Sequence, residues 1–297
     1  MEPPFQHHIS TRLQYWSDVA QSMPSSPDLA SRQHSWDDKV IQRTKCMLMD
    51  RVSDPLSRAR LLAASSPHSG DWLNALPIAS VGLRLSDEEI RIATGFRLGI
   101  NLGAPHQCIC GTRVDALGLH SLSCGKVTGR HQRHNKINDI ICRSLQTAHM
   151  HAVKEPAGLL REDGKRPDGM SSIPWTRGRC LVWDVTVADT FAASYLNLTA
   201  STAGAAAEKA AQRKVSKYTA LIQSYHFVPV AIETSGAWSR SGSELIQEIG
   251  KRLSELSGDS RETGFLFQRI SVAIQRGNGI CFSTSFAADS TADKCDE

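Results

Sequence analysis

Two aspartates and a set of lysines carry the first chemical signal in this chain. The stretch RCLVWDVTV, from Arg179 to Val187, alternates as a strand: Leu181, Trp183, Val185 and Val187 on one face, Cys180, Val182, Asp184 and Thr186 on the other. Asp184 therefore points with apolar neighbours into a partly buried space, where an unpaired carboxylate is costly. An ion pair or a hydrogen bond to a neighbouring loop would answer that cost. So would a metal site. Asp168 follows Pro167 shortly before this strand, after a turn through Asp163, Gly164 and Lys165, and a hairpin between the short strands can bring it beside Asp184. Two carboxylates, a backbone carbonyl and waters suit Mg²⁺, which can activate water and stabilise a phosphoryl transition state. Glu155 ends the preceding strand and is a candidate third carboxylate. Phosphodiester chemistry also needs positive charge near the phosphate. Thr186 stands where a lysine would be convenient, but a following helix offers Lys209, Arg213, Lys214 and Lys217. Lys214 and Lys217, three apart, share a face beside Val215 and Tyr218, and either could reach the sheet.

A second cluster lies upstream. CICGTRVDALGLHSLSC supplies Cys108, Cys110, His120 and Cys124. Three thiolates and an imidazole suit tetrahedral Zn²⁺ in a closed, structural site. His106 is a spare ligand, and plain reduced cysteines in a Gly-rich loop are the alternative. RHQRHNK follows at once. Arg130, His131, Arg133, His134 and Lys136 crowd a helix start, where cations oppose the helix dipole and an anion is a sensible partner. Phosphate contact to DNA is the functional reading, a solvated basic turn the other. Asn135 and Asp139 could approach the carboxylates from the same helix.

The elements that must position these residues can be read in outline. Residues 130 to 149 form a helix with a stripe of Ile137, Ile141, Leu145 and Ala148. Short strands follow near Val153 and from Arg166 to Met170, then the strand from Arg179. A long helix is expected from 203 to 225, with Ala207, Ala211, Val215, Tyr218, Ile222 and Tyr225 at helical spacing. FVPVAIET reads as a further strand. Two closing helices each begin with a capping-box pattern, Ser241 with Glu244 and Asp259 with Glu262. Upstream, LSDEEIRIATGFRLGI is a helix capped by Ser86 and Glu89, with Ile90, Ala93 and Phe96 as its apolar face. The expected fold is α/β: a mixed central sheet flanked by helices, with a helical N-terminal region and a small zinc-binding loop. The expected parts are a loose arm (1–38), a helical linker (39–105), the Cys/His element (106–129), a catalytic domain (130–282) and a disordered tail (283–297).

Composition sets outer bounds. The chain has 297 residues, 40% hydrophobic and 22% charged, as a globular protein does. A net charge of +4 permits nucleic acid without demanding it. MEPPFQHHIS has no apolar core of a secretory signal, and no later stretch is long and apolar enough to span a bilayer. The eight cysteines are accordingly expected as reduced thiols or metal ligands. No GxGxxG or GxxxxGK(S/T) is present, which excludes the usual dinucleotide and P-loop sites.

Taken in order, the Cys/His cluster, RHQRHN, KRPDG, WDVTV and RKVSKY resemble one branch of the PD-(D/E)xK nucleases. It is the restriction-endonuclease-like endonuclease domain at the C-terminal end of site-specific non-LTR retrotransposon reverse transcriptase polyproteins. The resemblance spans about residues 106 to 235. It implies an αβββαβ core, Asp168 and Asp184 as Mg²⁺ ligands, and a catalytic lysine displaced from the strand to the following helix, at Lys214 or Lys217. It implies DNA as substrate, element RNA as a further partner, and a reverse transcriptase encoded upstream or separately. An intracellular, nuclear location follows from the same resemblance. The gap between the two aspartates is slightly longer than usual for that family, and no motif transfers beyond 235. An aromatic-x-Asp-Asp polymerase turn is missing: in HSWDDK, Ser35 stands where the aromatic is needed before Asp37 and Asp38. The expected activity is metal-dependent nicking of target DNA. The alternative is a nucleic-acid-binding module, zinc-stabilised, whose nuclease has decayed.

Overall fold

The computed structural model describes residues 11, 14, 16–18, 33–159 and 166–286. They fall into two units, within Met1–Asp54 and Pro55–Glu297. Most of the expected arm, the turn through Asp163, Gly164 and Lys165, and residues 287–297 of the expected tail lie outside the described residues. The first unit contributes helix α1, Gln33–Arg51.

In the second unit, α2 (Pro55–Ala64) starts on proline, whose missing N–H costs nothing at that position. Helix α3 (Asp87–Leu98) begins with the expected Ser86–Glu89 capping box and stops at Gly99, whose φ of 73° suits glycine. Its buried face is Ile92, Ala93 and Phe96, so Ala93 and Phe96 point inward as expected, while Ile90 is exposed and Ile92 takes its place in the core. A two-stranded hairpin follows, β1 (His106–Gln107) with β2 (Arg113–Val114). Then come α4 (Gly129–Thr147), β3 (Ala152–Lys154), β4 (Gly169–Thr176) and β5 (Arg179–Ala188). The short α5 (Leu196–Thr199), α6 (Ala205–Lys217), the short α7 (Thr219–Ile222), β6 (His226–Glu233), α8 (Arg240–Ser257) and α9 (Glu262–Ser283) complete the chain.

The larger sheet has the order β3-β4-β5-β6. β3–β4 and β4–β5 run antiparallel, and β5–β6 run parallel, so the sheet is mixed as expected. Helices cover both faces. Ile137, Ile141 and Leu145 of α4 join Leu181, Trp183 and Val185 of β5 in the main core, with Ile246 and Ile249 of α8 and Phe267 and Ile270 of α9. On the other face α6 packs an alanine stripe, Ala206, Ala207, Ala210 and Ala211, against Ala188 and Ala231. Small side chains let α6 lie close to the strands. Glu233, fully buried at the end of β6, accepts a hydrogen bond from Ala206 N (2.9 Å) at the first turn of α6, where the helix dipole favours an anion.

Four local expectations need correction. The long helix is broken at Tyr218 (φ −108°, ψ 25°), because its side chain turns inward to donate to Arg166 O (2.9 Å) and packs on Phe227. Val215 and Ile222 are therefore exposed rather than part of a continuous buried stripe. α8 is capped by Ser239, which accepts from Gly242 N, while Ser241 donates to Pro229 O. Asp259 turns its carboxylate to Arg261 instead of forming a box with Glu262. Beyond Ser283 the chain is structured to Phe286, which bridges to Cys108. Residues 55–105 belong to the same unit as the sheet: α3 lies along α9, and Trp72 N donates to Ser271 Oγ (3.1 Å).

Candidate functional site

The β4–β5 register pairs Gly169 with Trp183, so Asp168 continues the ladder opposite Asp184. Gly169 is required here. A Cβ on it would lie 2.0 Å from the Trp183 ring. Asp168 is held from several sides. Its Oδ2 accepts from Val185 N (2.6 Å) and lies 3.0 Å from His134 Nε2. Its carbonyl accepts from Glu155 N (2.9 Å) and Asn138 Nδ2 (3.1 Å). Asn138 Oδ1 in turn accepts from Trp183 Nε1 (2.8 Å). His134 and Asn138 are one helical turn apart on α4, so one face of that helix clamps the Asp168 corner.

Asp184 is 2% exposed and its Oδ1 accepts from Lys214 Nζ at 2.6 Å. Burial pushes its carboxyl above the usual range, the charge of Asp168 pushes the same way, and Lys214 opposes both. Of the two candidate lysines, Lys214 reaches Asp184, while Lys217 donates to the Tyr218 hydroxyl (2.8 Å). Glu155 does not join. Its φ of 49° turns the chain at the end of β3, and Arg166 takes its carboxylate on the surface. Hydrogen bonding to Asp168 raises His134 above its usual value.

The basic run at the start of α4 is sorted by helical geometry. Arg130 and His131 are exposed, and Arg130 donates to Ser123 O (3.1 Å). Lys136 is exposed on another face. His134 faces Asp168. Arg133 departs from the expected surface contact: it is 2% exposed and donates inward to Asn278 Oδ1 and Leu122 O. Asn135 is exposed, with His134 Nδ1 at 3.3 Å from its Oδ1, and Asp139 is engaged by Arg143 (2.8 Å) and Lys154 (3.2 Å). Neither approaches the carboxylates as anticipated. Sequence reasoning placed His134 among phosphate contacts and passed over Asn138. Their signal was the spacing of four, bordering the buried Ile137–Ile141 stripe.

Cys108 and Cys110 sit in the β1–β2 hairpin, turned by Gly111 at φ 91°. His120 lies in the single turn Leu119–Leu122, and Cys124 closes it. The four ligand atoms all lie within 4.8 Å of one another, with Cys108 Sγ to Cys124 Sγ 3.6 Å and Cys110 Sγ to His120 Nε2 3.1 Å. Ligands on a tetrahedral Zn²⁺ stand roughly 3.5–3.8 Å apart, so the set needs only small shifts to hold a metal ion such as zinc. Burial holds the Cys108 thiol up at about 11, and hydrogen bonds from Thr112 bring Cys110 down to about 6. A cation among them would favour all three thiolates. His106 is outside this set: its ring stacks on Phe286 (3.8 Å) and its Nε2 lies 2.8 Å from Ser285 Oγ.

No family model matches the chain, and no curated protein matches it at a significant level. No helix among the described residues is long and apolar enough to cross a membrane.

Proposed function

We propose that the chain is a metal-dependent DNA endonuclease of the PD-(D/E)xK type, similar to the domain that ends non-LTR retrotransposon polyproteins. It nicks target DNA for element insertion, alongside a reverse transcriptase encoded upstream or separately. One observation carries the reading: Asp168, Asp184 and Lys214, from a loop, a strand and a helix, meet at one point of the sheet. The order α4-β3-β4-β5-α6-β6, with the short helices α5 and α7 on either side of α6, supports it, being the αβββαβ order expected of such a core.

The donor set is two hard carboxylates facing each other, one of them buried, which fits a small divalent cation. Asp168 and Asp184 would hold Mg²⁺, which when bound supplies a Lewis acid and an activated water at the phosphodiester. Lys214 holds a fixed positive charge beside Asp184, where it can stabilise charge developing on the phosphate. His134, Asn138 and the Val185 amide hold Asp168 in place. Zn²⁺ on Cys108, Cys110, His120 and Cys124 would clip the hairpin to the fold.

Supercoiled plasmid incubated with the full chain and Mg²⁺ is expected to yield open circles, and Asp168→Asn and Asp184→Asn to yield none. Unmutated protein that binds DNA but leaves the plasmid supercoiled would sink the proposal and leave a decayed binding module.

A further inference from the structure

The basic run on α4 has a side that the carboxylates do not use. Helical rotation of about 100° per residue puts Gln132 and Lys136 about 160° around α4 from His134. There they meet α9. Gln132, Arg133, Lys136 and Arg276 line a crevice of about 290 Å³, floored by Ala273, Gly277 and Ile280. That is room for a phosphate group and several waters, at about 30 Å³ per water.

Every charged side chain lining the crevice is a cation. Arg276 is fixed by donating to Gly82 O (3.1 Å) and Arg84 O (2.6 Å), and the nearby Glu89 carboxylate lies 3.5 Å from its Nε. Against these three cations stand the Glu89 carboxylate beside Arg276 and the buried Asp189, whose charge reaches Arg133. Arg133 lies against Gly277, where an added Cβ would come 2.5 Å from its Cβ, so the helices close tightly below it. Its guanidinium is buried below the crevice and donates to Asn278 Oδ1 and Leu122 O, so its charge acts through the field rather than by contact. Lys136 makes no ion pair among the described residues and is exposed at the rim. A crevice lined by cations, with an ammonium at its rim that no carboxylate holds, is built for an anion.

We propose that this crevice is a second phosphate seat, taking a backbone phosphate of duplex DNA apart from the phosphate at the carboxylates. The inference rests on the nuclease reading for its choice of ligand. The two seats flank a single helix about 10–12 Å across, close to the roughly 12 Å width of the major groove. A backbone phosphate carries no base identity, so the seat's contribution to binding is independent of sequence.

The test is duplex binding by fluorescence anisotropy over a salt series, with the full chain, Lys136→Gln and Gln132→Glu, each checked for unchanged thermal melting. Lys136→Gln is expected to weaken two unrelated duplexes alike and to lower the salt slope by about 1. Gln132→Glu, which adds a carboxylate to the crevice, is expected to weaken them further. Unchanged affinity and slope in both variants would overturn the proposal. So would inorganic phosphate raising the melting temperature of the unmutated chain alone while duplex binding stays the same, since the seat would then serve a free anion. Plasmid nicking by the unmutated chain is read on the same preparation. A slope that falls without any nicking removes the nuclease reading and keeps the seat; nicking with an unmoved slope does the reverse.

Discussion

Asp184 is buried in its strand among Val182, Trp183 and Val185, and its ionised form depends on the ammonium of Lys214 at 2.6 Å. Both members are largely withdrawn from water, with side chains 3% and 26% exposed, so removing one leaves the other stranded. Lys214→Ala is therefore expected to abolish nicking and to destabilise the metal-free chain by about 3 kcal/mol at neutral pH. The sign with pH follows from the carboxyl. Its folded value is already raised by burial and by Asp168, so its contribution to stability is whole below the ordinary 3.8 and is lost as pH rises through the raised value. Without Lys214 it rises further and the loss deepens. Urea unfolding of variant and parent with chelator should diverge above that range and converge toward acid; a constant difference across pH would show that Lys214 acts through packing alone. Asp184 was legible as an odd charge in a strand of period two, and Lys214 as one of a pair. Choosing between Lys214 and Lys217 required the turn at Tyr218, which no pattern announces. Tyr218 bends away to reach Arg166 and takes Lys217 with it.

The position of α6 decides where Lys214 points, and its first turn is anchored by Glu233 through Ala206 N. Burial pushes the Glu233 carboxyl above its ordinary 4.5, and the amides of Ala206 and Ala207 oppose that push without cancelling it. A raised acid stabilises the fold fully below 4.5 and loses that contribution as pH climbs through the raised value. Glu233→Gln keeps an acceptor for Ala206 N and cannot ionise. Its stability relative to the parent is expected to rise with pH from about 4.5 upward, as followed by urea unfolding across a pH series. A variant that loses ground as pH rises would mean that the helix dipole, not burial, governs this carboxylate. At this scale the sequence spoke clearly where partners did not compete. The Ser86–Glu89 box formed because the Glu89 carboxylate has an oxygen for each partner, Oε2 for Ser86 N and Oε1 facing Arg276. Ser241 and Asp259 had competitors, Pro229 O and Arg261, and the competitors won. The stripe Ile137, Ile141, Leu145 and Ala148 was visible because burial alone sets its period.

Across the whole second unit the Cys/His cluster joins segments far apart in the chain. Cys108 and Cys124 pack with Val127 and with Cys281 from the last turns of α9, and Cys108 bridges to Phe286. Gly129 opens α4 against that same turn, where an added Cβ would sit 2.5 Å from Cys281 N. A metal ion held here would fix the hairpin, the start of α4 and the end of α9 together, and α4 carries His134 and Asn138 to Asp168. The sheet core does not depend on it: Leu181, Trp183, Val230 and Ile246 are buried elsewhere. Zinc loss should therefore loosen one end of the unit rather than unfold it. His120→Ala is expected to drop bound zinc to background and to lower the melting temperature by several degrees, at about 2–4 °C per kcal/mol for a unit this size. Hydrogen exchange should quicken over 106–128 and the last turn of α9, while β5 and β6 keep their protection. Equal loss of protection across the sheet would show that the cluster is part of the folding core, and an unchanged melting temperature in a zinc-free variant would show that the four ligands are ordinary reduced side chains.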